Sequence, residues 1–161
     1  MNIITENQLR DNFCKYLESV GLHEYSKEVN FCSNSSFIDL VYVDEKRNFI
    51  CVELKLKDWK KVIEQANKIK NKIELVYIAL PIPKKNEIKK KIENIIEKEK
   101  LGLYWYNEKN DTWLKHFMPK ERCLFSKDLM EYFNKNLKQS FYSNKHFTFM
   151  QSVTSYPAAK T

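Results

Sequence analysis

The stretch FIDLVYVDEKRNFICVELKL, residues 37–56, constrains the fold of this chain more than any other. Two apolar runs, FIDLVYV and FICVELKL, flank the polar segment DEKRN, and that pattern reads as two antiparallel strands joined by a turn. Asp39, Glu53 and Lys55 nevertheless stand inside the runs. Strand side chains alternate with period two, which puts Glu53 and Lys55 on one side of their strand and Val52, Leu54 and Leu56 on the other. A turn at residues 44–48 brings the strand of Asp39 beside that of Glu53. The plain alternative is an amphipathic strand whose charged face sees water. Against it, Asp39 interrupts a run that is otherwise apolar on both faces, the second run begins as a fully buried strand, and a basic helix follows.

The neighbouring segments complete a pattern. Thr5 and Gln8 form a capping-box pair, Leu9, Phe13, Leu17 and Val20 lie at helical spacing, and Gly21 is placed to stop a helix over residues 6–20. Residues 26–31 read as a strand before the turn at Ser33–Ser35. Asp58 is a helix cap for Val62, Ile63, Ala66 and Ile69, and ELVYIAL at 74–80 reads as a buried strand ended by Pro81. Residues 83–100 place Ile88, Ile92, Ile95 and Ile96 on one stripe of an amphipathic helix whose charges face water. LGLYWYN and DTWLKHF suggest a hairpin at 101–117, and residues 126–141 a helix capped by Ser126. The order predicts an α/β or α+β domain over residues 1–142, a mixed sheet flanked by helices, with a tail at 143–161.

Composition narrows the classes. With 161 residues, 43% hydrophobic and 30% charged, and two glycines, the chain is that of one globular domain rather than a linker-rich or disordered protein. The net charge of +7 draws polyanions such as nucleic acid. Cys14, Cys32, Cys51 and Cys123 have no zinc-site spacing, and His23, His116 and His146 are scattered, so buried free thiols are expected. No presequence pattern and no apolar run of membrane-spanning length is visible, which predicts a cytoplasmic protein without a membrane partner.

Two carboxylates converging near a lysine suit a hard divalent cation, Mg2+ or Mn2+, which takes oxygen ligands and keeps several waters. Such an ion acidifies water and stabilises charge on a phosphate, and a lysine can position the nucleophile or offset transition-state charge. This is the chemistry of phosphodiester hydrolysis.

Asp39, then Glu53-Leu54-Lys55 in the next strand, within the order αβββαβ, resembles the PD-(D/E)xK nuclease superfamily, the restriction-endonuclease-like fold. The resemblance spans residues 5–81, and extends to about 118 if the last helix and hairpin are a peripheral extension. It implies that Asp39 and Glu53 bind the metal, that the carbonyl of Leu54 adds a ligand, and that Lys55 is the catalytic lysine. Glu6 matches the family's first-helix glutamate, and Gln65 its helical glutamine, although Ile69 stands where one branch has tyrosine. The literal proline before the first aspartate is absent, since Asp39 follows Ile38. Glu28 is a lesser candidate, an active-site or salt-bridging acid.

Lys57, Lys60, Lys61, Lys68, Lys70 and Lys72 on and around the following helix offer phosphate contacts, against the commoner reading of a solvated face. Trp59, Trp105 and Trp113 could stack on bases, though burial is the better default. The implied function is a metal-dependent nuclease, with DNA favoured over RNA by family habit and a homodimer suited to cutting both strands. The alternatives are a catalytically silent nucleic-acid-binding module of the same fold and a protein whose basic surface meets an acidic protein partner.

Overall fold

The computed structural model describes residues 3, 5–30, 37–70, 73 and 75–118. Within them, helix α1 (Glu6–Ser19) precedes an antiparallel meander of β1 (Tyr25–Asn30), β2 (Phe37–Val43) and β3 (Phe49–Leu54). Helix α2 (Trp59–Lys70) crosses to β4 (Leu75–Pro81), and α3 (Asn86–Glu99) to β5 (Gly102–Asn107), both strands joining parallel. β6 (Thr112–Phe117) closes the hairpin antiparallel to β5. The sheet order is β1-β2-β3-β4-β5-β6, so the fold is α+β with a mixed six-stranded sheet, consistent with a restriction-endonuclease-like core. α3, β5 and β6 extend this same sheet. The predicted helix at 126–141, the turn at Ser33–Ser35, Lys72, Cys32 and Cys123 lie outside the described residues.

Local chemistry explains the helix ends. Thr5 accepts from the Gln8 amide at 3.1 Å while the Gln8 side chain accepts from the Thr5 amide at 3.0 Å, so two amides that the helix leaves unpaired are satisfied. At the other end Gly21 has φ +85°, and the amides of Gly21 and Leu22 bond back to the carbonyls of Glu18 and Leu17. Asp58 caps α2 by accepting from the Lys61 amide at 3.1 Å.

One core lies on each face. Leu9, Phe13 and Leu17 of α1 pack on Leu40, Tyr42, Val52, Leu54, Tyr77 and Tyr104. Val62, Ile63 and Ala66 of α2 and Ile92 and Ile96 of α3 cover Val41, Cys51, Val76, Ile78 and Leu103. Cys14 and Cys51 are free and buried, as expected of structural thiols. Of the tryptophans, Trp105 is fully buried and donates to Glu93 at 3.0 Å, and Trp59 and Trp113 are partly buried against the two cores.

Candidate metal-dependent active site

β3 sits between β2 and β4 with both faces covered, and every one of its residues is buried. The water-facing alternative therefore fails at Glu53, which is 2% exposed. Acidic side chains are almost never this buried without a partner, yet Glu53 Oε1 has no hydrogen bond. Burial, then the charge and hydrogen bond of Asp39, push the Glu53 carboxyl far above the ordinary carboxylate range, while the Asp39 backbone and Lys55 oppose the shift. Asp39 and Glu53 thus meet on adjacent strands, as their spacing suggested.

Asp39 also explains why β2 and β3 separate here. Their ladder runs from Val43 opposite Phe49 to Leu40 opposite Val52. One residue on, Asp39 Oδ2 accepts from the Leu54 amide at 2.9 Å, so a side chain takes the place of a backbone partner where the ladder ends. Leu54 places its side chain in the core under α1, with its backbone beside both acids.

Lys55 is where the sequence reading needs correction. The alternation VELKL predicted a strand through Leu56, but β3 ends at Leu54, where the pairing ladder ends. Lys55 instead follows the strand, held by its amide to the Ala79 carbonyl at 3.3 Å. Its Nζ donates to Glu6 Oε2 at 3.1 Å, which brings the first turn of α1 to the site. Its charge still reaches Glu53. Gln65 lies half-buried in α2, and its Oε1, like Ser26 Oγ and Asn67 Oδ1, is a further buried acceptor without a partner.

Glu28 resolves as a salt-bridging acid. It adopts φ +53° and accepts from Arg10 at 3.2 Å. Among the lysines, Lys57, Lys60, Lys61 and Lys68 are exposed, with Lys60 Nζ 5.5 Å from the centre of the Trp59 ring. Lys70 differs: its ammonium is held by the Glu99 carboxylate and carbonyl at 2.8 Å each, tying α2 to α3. No sequence signal pairs residues this far apart.

Among the described residues no group of three or more His, Cys, Asp or Glu side chains forms a metal cage. Asp39 and Glu53 bring two carboxylates together at β2 and β3, oxygen donors that would suit an oxygen-seeking ion keeping its waters rather than zinc. Among the described residues no helix is long and apolar enough to cross a membrane.

No protein-family model matches the sequence, and no curated protein matches it. Among solved structures, a protein of unknown function from Silicibacter pomeroyi has a TM-score of 0.57 at 14% identity over 92% of this chain and 91% of its own. An XisH family protein from Nostoc punctiforme gives 0.48 at 11% identity over 66% and 95%. A repair endonuclease from Pyrococcus abyssi gives 0.44 at 16% identity over 74% and 49%. The first likeness shows a shared fold.

Proposed function

We propose that the chain is a metal-dependent nuclease of the PD-(D/E)xK type, acting on DNA. The observation that carries this reading is the unpartnered oxygen of Glu53, buried beside Asp39. A buried polar atom without a protein partner needs an explanation, and affinity for a divalent cation is one that also accounts for the second carboxylate. Asp39, Glu53 and the Leu54 carbonyl would hold Mg2+ or Mn2+, which when bound would acidify a water and offset charge on the scissile phosphate. Lys55 orients the attacking water and is itself held in place by Glu6. Gln65 supports the site with a buried acceptor that has no partner within the protein.

The test is incubation of the purified chain with single- and double-stranded DNA and RNA in Mg2+, in Mn2+ and in EDTA. Cleavage confined to the metal-containing lanes, and lost in Glu53→Ala, is the expected result. Salt-sensitive binding with no cleavage under any condition would instead make this a silent binding module.

Phosphate contacts are assigned to Lys57, Lys60, Lys61 and Lys68, whose ammonium groups face solvent. Lys61→Ala should flatten the slope of log Kobs against log salt by about one unit, as each phosphate contact releases about one counterion. Lys70→Ala should leave that slope unchanged, because its charge is committed to Glu99. Filter binding of one DNA duplex between about 50 and 200 mM salt reads both.

A further inference from the structure

Four large hydrophobic side chains are exposed among the described residues: Val20, Phe37, Leu114 and Met118. Val20 caps α1, Leu114 and Met118 lie in and just after β6, and Phe37 alone is aromatic. Phe37 is 58% exposed at the start of β2, opposite Asn30 of β1 and without a ring contact among the described residues. It stands two residues before Asp39 in the same strand. The two positions lie about 7 Å apart along the strand, and Phe37 stands at the end of β2 where the β2–β3 ladder gives way to the carboxylate pair. Asp39 is half-buried and Glu53 buried, whereas Phe37 is exposed at the same end of the sheet.

A single exposed aromatic is unremarkable on a protein surface. One held on a strand beside a phosphate-cleaving centre has a specific use. Every base carries a π-face, and a ring next to the scissile position can stack on it. In a continuous duplex both faces of a base are already covered by its neighbours, so stacking on a protein ring requires an unpaired or extruded base. We infer that Phe37 is a stacking platform for the base next to the scissile phosphate, and that the substrate is single-stranded DNA or a frayed end rather than intact duplex. This rests on the nuclease reading for its location and adds the substrate class.

The test uses binding in EDTA, so that no cleavage intervenes, with a single-stranded oligonucleotide carrying the fluorescent base 2-aminopurine and the blunt duplex of the same sequence. The native chain should bind the single strand more tightly and quench the 2-aminopurine. Phe37→Ala should lose the quenching and weaken single-strand binding by roughly tenfold, the scale of one base stack, with duplex binding unchanged. Phe37→Trp should keep both. Single-strand affinity and quenching equal to native in Phe37→Ala would overturn the inference, as would equal weakening on duplex. Cleavage of the single strand by the native chain in Mg2+ tests the nuclease reading separately: no cleavage with Phe37-dependent quenching intact would overturn the scissile-phosphate placement and leave Phe37 a base-binding residue only, whereas cleavage with no Phe37-dependent quenching would overturn the platform alone.

Discussion

Glu53→Gln should abolish cleavage and, at alkaline pH in a chelator, make the protein more stable. Both effects come from one atom pair. The amide keeps the size of the carboxylate but cannot supply the charge that a divalent ion needs, so turnover should fall by at least about a hundredfold, the scale of losing a principal electrostatic group. Stability moves the other way because the native chain holds Glu53 protonated above its ordinary value of 4.5, through burial and the neighbouring Asp39. An acid raised in the folded state binds more protons there than in the unfolded chain. Stability therefore falls as pH climbs from about 4.5 to the raised value, by up to about 1.4 kcal/mol per unit. Glutamine removes that slope, so the two proteins should match near pH 4 and diverge in favour of the variant towards pH 8. Urea melts in EDTA at a series of pH values measure this. Parallel pH profiles for the two would mean that Glu53 is solvated and that the buried-carboxylate account is wrong.

Gly102→Ala should be the most damaging small substitution in the sheet. Gly102 lies opposite Tyr77 across β4 and β5, and a Cβ there would fall against Cγ, Cδ2 and Cε2 of the tyrosine ring. Neither strand can yield, because each is paired on both sides. The ring cannot turn away freely either. It is 2% exposed, its centre is 5.0 Å from that of Tyr104, and Lys115 lies over it at 5.2 Å. Tyr104 is fixed in turn by the buried hydroxyl contact to Tyr42 at 2.8 Å. Overpacking a filled core costs 1–3 kcal/mol and more where neighbours are locked, so about 3 kcal/mol and a fall in Tm of roughly 10 °C are expected. Gly21→Ala is the control: its φ is positive but nothing lies within 4 Å, so only a backbone cost of about 1 kcal/mol applies. Comparable melting of the two variants would contradict the packing of Tyr77.

What was legible in the sequence was local or periodic. The capping box at Thr5 and Gln8, the stop at Gly21 and the cap at Asp58 are short-range chemistry, and each stands where its residues predicted. Asp39 and Glu53 were visible because a charge interrupts a run that must be buried. Lys55 shows where that logic ends. Alternation continues past Leu54, but a strand ends where its neighbours stop pairing, and that is decided by β2 and β4. The ion pairs Lys55 with Glu6 and Lys70 with Glu99 join segments far apart in the chain, and no spacing rule could have matched them. Phe37 was equally hidden, because an aromatic opening an apolar run reads as core. It is the first residue of β2 and is 58% exposed, which the apolar run alone does not reveal.

Calorimetric titration of Mn2+ into the protein, with Glu53→Gln alongside and buffers of different ionisation enthalpy, tests most directly whether the carboxylate pair is a cation centre. The account predicts saturable binding to the native chain near neutral pH, with release of about one proton per ion as Glu53 ionises, and no such binding to the variant. Binding of equal strength to both proteins, or no saturable binding to the native chain, would contradict it.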